Sequence, residues 1–192
     1  MDSLGFNVRY DCARLPRSDR RAQGALRFSS SDPTDPDDGL LLEVRLHGDA
    51  AWVGFFEGID PAYELTGCFG WPNPDRVFVV SNGQGYVVSA RRPEDWLRLE
   101  TLPIRGVRRI PAKPYVLMWD FQNLDLYGPA GLVWSLEDLS TDDLEITGVT
   151  SETITGRAKD PLKERMVDFA VDVGTGRVSG GWGKPTLHVG NG

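Results

Sequence analysis

The chain has 192 residues, of which 40% are hydrophobic and 26% charged, and this usage is that of a globular protein and excludes an intrinsically disordered one. Its formal net charge of −7 opposes binding to phosphate backbones and to anionic lipid, so we expect neither a nucleic acid nor a membrane as partner. The 22 glycines and 13 prolines favour many short strands joined by turns over a few long helices.

The N-terminal residues carry an acid at Asp2 and no apolar run of signal-peptide length, and no stretch reaches the roughly 20 apolar residues of a membrane span. Cys12 and Cys68 are too few for a disulfide scaffold and fit a reducing compartment, although one pair could still bridge. We therefore expect a cytoplasmic protein with free, mostly buried thiols.

Alternation of apolar and polar residues predicts a series of strands along the chain. These runs are Phe6–Tyr10, Leu40–Leu46, Trp52–Phe55, Val77–Val80, Gly85–Val88, Trp96–Leu99, Leu124–Tyr127, Leu144–Thr147 and Val167–Val173. Asn82-Gly83 predicts a type I′ hairpin between two of them, because this dipeptide readily adopts the positive φ values of that turn.

The remaining segments predict loops and short turns. Residues 11–38 contain few apolar positions and predict a mobile loop. Residues 92–96 and 140–143 each have the composition of a single helical turn, and the β-branched residues after the second one oppose a longer helix. No composition change marks a domain boundary, so residues 1–192 are interpreted as one β domain.

Four glycines precede strand-like runs at a nearly constant interval. Gly39, Gly85, Gly131 and Gly176 follow one another at 46, 46 and 45 residues. A period near 45 residues is that of a four-stranded propeller blade, which predicts a propeller-like or open stack of antiparallel sheets. Accidental spacing among so many glycines is the alternative interpretation, and a β-sandwich is the alternative fold.

Residues with the chemistry of catalytic or metal sites do not form a known motif. His47 is expected at the surface end of a strand and His188 near a frayed C-terminus, and neither belongs to a nucleophile-elbow sequence. Cysteines and histidines lack the short spacings of a zinc site, so we expect no metal and no cofactor.

Carboxylates in the second half of the chain are numerous enough to supply a general acid and base, but nothing in the sequence selects a pair. They are Asp120, Asp125, Glu137, Asp138, Asp142, Asp143, Asp168 and Asp172.

Tryptophan and arginine residues supply the candidate binding residues. Trp71 lies in the loop sequence Gly-Trp-Pro-Asn-Pro and is expected to be exposed, whereas Trp52, Trp119 and Trp134 lie in alternating runs and are expected in the core. Two groups of arginines are local exceptions to the negative net charge, and each could bind a carboxylate or phosphate. Solvated arginines that balance nearby acids are the simpler interpretation. The groups are Arg14, Arg17, Arg20 and Arg21, and Arg105, Arg108 and Arg109. Trp71, Arg108 and Arg109 are the predicted binding residues.

Residues 75–183 resemble a group of small bacterial proteins of unknown function. The motifs that carry the resemblance are Gly83-x-Gly85-Tyr86-Val87-Val88, Gly131-Leu132-Val133-Trp134-Ser135, Thr155-Gly156-Arg157-Ala158-Lys159-Asp160-Pro161, and Phe169-Ala170-Val171-Asp172-Val173-Gly174-Thr175-Gly176. The resemblance implies a bacterial, self-contained, all-β protein and assigns a role to no residue.

The sequence therefore favours a non-catalytic binding module, in which a rigid β scaffold presents loops and aromatic residues to a protein or a small ligand. The alternative is a carboxylate-type hydrolase acting on glycans, which requires two carboxylates about 5 to 10 Å apart in a pocket.

Overall fold

The computed structural model describes residues 1–29, 38–48 and 51–190. Within these ranges the chain forms seventeen strands and one short 3-10 helix, Arg20–Gly24. The prediction of an all-β protein with little helix is confirmed. Its strands form four successive sheets that are mostly antiparallel, as the predicted stack of antiparallel sheets requires.

The chain divides into two compact units, Met1–Ile104 and Arg105–Gly192, whereas the sequence showed no boundary. Each unit contains two sheets that share one apolar core. The division falls between the strands Trp96–Arg98 and Gly106–Arg109.

The first sheet of unit 1 has the strand order β1-β3-β4-β2. Its strands are β1 (Tyr10–Arg14), β2 (Leu26–Phe28), β3 (Gly39–Leu46) and β4 (Ala51–Glu57). Because β1 and β2 lie at opposite edges, the residues between them must pass from one edge of the sheet to the other. We call residues 15–25 the crossover segment.

The second sheet of unit 1 is a meander with the strand order β5-β6-β7-β8. Its strands are β5 (Gly67–Phe69), β6 (Arg76–Ser81), β7 (Gln84–Ser89) and β8 (Trp96–Arg98). Ser81 pairs with Gln84, so Asn82 and Gly83 form a two-residue turn, with φ values of 43° and 82°. The predicted type I′ hairpin is confirmed.

A polar contact and a covalent bond connect the two sheets of unit 1 in addition to their shared core. Buried Tyr10 of β1 donates its hydroxyl to the carbonyl oxygen of Arg76 on β6 at 2.8 Å. Cys12 of β1 and Cys68 of β5 form a disulfide with a Cα–Cα distance of 6.6 Å. The expectation of free thiols was therefore wrong, because folding brings together two cysteines that are 56 residues apart in the sequence.

Unit 2 contains a five-stranded and a four-stranded sheet, with strand orders β17-β12-β11-β10-β9 and β13-β14-β15-β16. The strands of the first are β9 (Gly106–Arg109), β10 (Val116–Trp119), β11 (Leu124–Gly128), β12 (Gly131–Glu137) and β17 (Thr186–Val189). Those of the second are β13 (Leu144–Val149), β14 (Thr153–Asp160), β15 (Arg165–Asp172) and β16 (Val178–Gly180). Trp134 is at the centre of their shared core, where its indole Nε1 donates to the carbonyl oxygen of Val173 at 2.9 Å.

The chain forms four sheets of four or five strands, but the four glycines do not occupy equivalent places in them. Gly39 begins β3 and Gly85 is the second residue of β7, whereas Gly131 begins β12 and Gly176 precedes β16. The constant spacing of these glycines therefore does not mark one repeated position in the sheets.

Three local predictions also need correction. Residues 6–9 precede the first strand, which begins only at Tyr10, and His188 lies in strand β17 rather than in a frayed end. The predicted loop of residues 11–38 contains most of β1, the 3-10 helix and β2, while residues 30–37 of it lie outside the described residues. The residues of β1 and β2 are largely exposed, and this is why their sequences lack a strong apolar pattern.

Candidate functional site

The structure places the three predicted binding residues in different units, Trp71 in unit 1 and Arg108 and Arg109 in unit 2. Trp71 is only 4% exposed and packs edge-on against Phe78, with 5.3 Å between ring centroids, so the expectation of an exposed indole was wrong. The loop is held inward, because the amide of Gly70 donates to the carbonyl oxygen of Asp2 at 2.8 Å. Arg108 and Arg109 are consecutive residues on β9, an edge strand of unit 2, and therefore point to opposite faces of their sheet.

The prediction that Trp52, Trp119 and Trp134 lie in the core is partly correct. Trp134 is buried, whereas Trp52 and Trp119 are half-buried. The Trp52 Nε1 donates to the carbonyl oxygen of Ala90 at 2.8 Å, so the polar edge of this ring is satisfied inside unit 1.

Each histidine lies close to a carboxylate at the protein surface. His47 follows β3, as predicted, and its Nε2 is 3.4 Å from a carboxylate oxygen of Asp11. The Nε2 of His188 is 3.3 Å from a carboxylate oxygen of Glu137. In the described part of the chain no three His, Cys, Asp or Glu side chains lie together as metal ligands would. The same residues include no helix with the length and apolarity that a membrane span requires.

Two carboxylates of the second half accept hydrogen bonds within their own turns. Asp120 accepts hydrogen bonds from the amides of Gln122 and Asn123 at 2.7 and 2.6 Å. Asp172 accepts from the hydroxyl and the amide of Thr175 at 2.7 and 2.8 Å, and these bonds lower the pKa of its carboxyl. Asp172 is therefore held ionised and engaged by its own turn, which is unfavourable for a general acid.

The crossover segment forms a pocket against the outer face of the first sheet. Arg27, Leu41 and Phe55 are register partners on three adjacent strands and so lie on one face. Leu40, Leu42 and Phe56 have the opposite orientation and belong to the core. The pocket between the crossover segment and the outer face has a volume of about 300 Å³. We call it the crossover pocket, and its lining residues are Arg17, Ala22, Gln23, Ala25, Arg27, Leu41 and Phe55.

Two guanidinium groups and one aromatic ring dominate the crossover pocket. The guanidinium carbon of Arg27 is 5.0 Å from the centroid of the Phe55 ring, and that of Arg17 is 5.8 Å from it. Both distances lie within the range of cation–π contacts, which orient the two groups at the ring. None of the lining residues within the described part of the chain carries a carboxylate. The pocket therefore combines positive charge with an apolar floor formed by Phe55 and Leu41.

An ion-pair network attaches the crossover segment to the sheet. Arg21 of the 3-10 helix contacts a carboxylate oxygen of Glu43 on β3 at 2.7 Å and one of Asp19 at 2.8 Å. The side-chain and backbone hydrogen bonds from Arg21 lower the pKa of Asp19 to about 2. Asp19 also caps the 3-10 helix, since its carboxylate accepts from the Arg21 amide at 2.9 Å. The amide of Leu15 donates to the carbonyl oxygen of Leu41 at 2.9 Å, which fixes the start of the segment.

The sequence indicated only part of this site. Arg17 belongs to the first arginine group that was noted as a local basic exception, whereas Arg27 and Phe55 were not selected. Arg27 lies in β2, where alternation is weak, and Phe55 lies in β4, where alternation is visible. Both side chains face away from the core, and no local signal shows that a separate segment crosses that face. A crossing between opposite edges depends on strand order, which the sequence did not provide.

Comparison with known proteins assigns no family. No family model matches the chain, and no curated protein matches it. Among solved structures, the N-terminal domain of Nup159 is similar with a TM-score of 0.41 and 11% identity. The match covers 94% of this chain and 52% of that one, so the present chain spans about half the length of the matched structure. A likeness of this degree transfers no function.

Proposed function

We propose that the protein is a non-catalytic binding module, and that the crossover pocket holds an anionic group of its ligand. The observation that carries the proposal is the position of Arg17 and Arg27 at the Phe55 ring, in a pocket with no carboxylate among the lining residues that the structure describes. Guanidinium groups bind carboxylates and phosphates through paired N–H donors, and the aromatic floor favours a ligand that has an apolar part next to its charge.

The anchoring of the crossover segment supports binding by a preformed site. Glu43 is bound by Arg21 and is also 3.3 Å from Arg45, so its charge is already compensated outside the pocket. A site that is ordered before binding loses less conformational entropy when the ligand enters.

The glycan hydrolase remains the alternative class, but the observed carboxylates do not favour it. Neither described pocket is lined by an aspartate or a glutamate within the part of the chain that the structure describes. A glycosidase mechanism needs two such groups on either side of the scissile bond.

Titration with phenyl phosphate, monitored by isothermal calorimetry, tests the proposal. This probe combines an anion with an apolar ring, and phenyltrimethylammonium is the control of opposite charge. We expect saturable binding of the anion only, and Arg17→Ala and Arg27→Ala each weaken it by roughly three- to tenfold, the range for a charge-assisted contact near the surface.

Arg20→Ala is the matched control, because Arg20 is an exposed arginine in the 3-10 helix of the crossover segment and does not line the pocket. It removes the same charge and should leave binding within about twofold, since charges beyond direct contact are screened by salt. Equal losses of affinity in all three arginine variants would mean that phenyl phosphate binding depends only on the net charge of the protein. Equal binding of the cationic control would reject an anion site altogether.

A further inference from the structure

A second pocket lies in unit 2, between an edge strand of each of its two sheets. Leu136 of β12 and Leu187 of β17 are register partners and form one wall, and Val178 of β16 forms part of the other. Pro185 closes the pocket from the segment that leads into β17. The volume is about 230 Å³, somewhat below the roughly 300 to 1,000 Å³ of pockets for drug-sized molecules, so a ligand must be small. We call it the edge pocket.

Two cations contribute to the lining of this apolar pocket. Arg177 and Lys184 both line it, and no ion pair involves either side chain among the residues that the structure describes. The remaining lining residues are aliphatic residues, proline and glycines. Aliphatic side chains next to positive charges without an ion pair among the described residues are complementary to a molecule with an aliphatic part and one anionic end.

The turn that carries Arg177 is fixed before any ligand binds. Asp172 accepts two hydrogen bonds from Thr175, and the amide of Gly176 donates to the carbonyl oxygen of Asp172 at 2.8 Å. Gly176 has a φ of +69°, and a Cβ atom there would be 2.7 Å from a methyl carbon of Leu187. The glycine thus lets the turn approach β17 closely, which sets the width of the pocket.

We infer that the edge pocket binds a small aliphatic carboxylate, whose chain packs against Leu136, Val178 and Leu187 while its carboxylate contacts Arg177 and Lys184. This site is separate from the crossover pocket, and its lining residues all belong to unit 2. The two sites can therefore be tested independently.

The test uses hexanoate as the probe and the full chain labelled with nitrogen-15. A ligand of this size binds with a Kd on the order of 1 mM, so amide chemical shifts in NMR spectra are the appropriate readout. Gly176, Gly180 and Gly183 line the pocket and provide local reporters. We expect saturable shifts at these amides with hexanoate. Hexanol, which lacks the charge, and acetate, which lacks the chain, should each bind at least about fivefold more weakly.

Three variants assign the binding to the proposed residues. Arg177→Ala and Lys184→Ala should each raise the Kd for hexanoate by roughly three- to tenfold, as expected for one partly exposed charged contact. Arg165→Ala is the matched control, since this exposed arginine of β15 does not line the pocket. Its Kd should stay within about twofold, because a distant charge is screened.

The inference is rejected if no saturable shift occurs up to ~20 mM hexanoate, about twentyfold above the expected Kd. It is also rejected if hexanol binds as well as hexanoate, or if Arg165→Ala weakens binding as much as the two pocket variants. Arg17→Ala should leave hexanoate binding unchanged, and Arg177→Ala should leave phenyl phosphate binding unchanged, so failure of one site is distinguishable from failure of the other.

Discussion

Reduction of the Cys12–Cys68 disulfide should destabilise the protein by a measurable amount. The bond joins residues 56 positions apart, and it connects a strand of the first sheet to a strand of the second within unit 1. Closing a loop of this length removes about 14 cal/mol/K of entropy from the unfolded chain, or about 4 kcal/mol at 25 °C. With a denaturant slope of about 2 kcal/mol/M, the urea midpoint should fall by roughly 2 M on reduction.

The assay is urea unfolding, monitored by tryptophan fluorescence, with and without dithiothreitol. The double variant Cys12→Ala/Cys68→Ala is the control, because it should have the lower midpoint in both buffers and show no response to the reductant. Thiol titration of the denatured, unreduced protein should find no free cysteine. Two free thiols, or equal midpoints in the two buffers, would refute the reasoning.

The result also bears on where the protein works. Structural disulfides persist in oxidising compartments and are rare in the cytosol. The cytoplasmic location that the sequence favoured stays a prediction, and a fully reduced protein isolated from its host under thiol-trapping conditions would support it.

Two other predictions concern the polar contacts that hold unit 1. Tyr10→Phe should lower the free energy of unfolding by about 1 to 2 kcal/mol in denaturant titration. The reason is that it removes the hydroxyl that donates to the Arg76 carbonyl and leaves that acceptor without this bond. An unchanged free energy would show that the carbonyl finds another donor. The pKa of Asp19 is lowered to about 2, so its contribution is complete above its unfolded pKa near 3.8 and is lost as the pH falls through about 2. Carbon-13 NMR titration of the Asp19 carboxyl should give a midpoint near 2 in the native chain and a higher one in Arg21→Ala, which keeps the backbone amide bond and loses the side-chain bonds. Equal midpoints in both proteins would contradict the assigned cause.

The accuracy of the sequence predictions followed the range of the interactions involved. The Asn82-Gly83 hairpin and the strands on either side of it were predicted correctly, because turn conformation and alternation depend on neighbouring residues. Strand β1 was placed too early and β2 was missed, since both have mostly exposed side chains and take their strand conformation from pairing with β3 and β4. β-strand formation of this kind depends on tertiary context more than on intrinsic preference.

The candidate sites were less predictable for the same reason. Trp71 was chosen because its neighbours are typical of an exposed loop, yet the N-terminal residues pair with that loop and the indole packs on Phe78. Arg17 and Arg27 are 10 positions apart and meet at Phe55 only because the chain crosses from one edge of a sheet to the other. No spacing rule for helices or strands would select this set of residues.

The sequence by itself determined the all-β class, the scarcity of helix, the Asn82-Gly83 hairpin and the negative net charge, because these properties depend on composition and on residues close together in the chain. Only the tertiary structure decided the strand order, the division into two units, the pairing of Cys12 with Cys68 and the positions of the two arginine-lined pockets. These features join residues that are far apart in sequence, and their positions depend on which sheet edges the connecting segments cross. Local patterns specify each strand, whereas the sites form where segments from different strands meet.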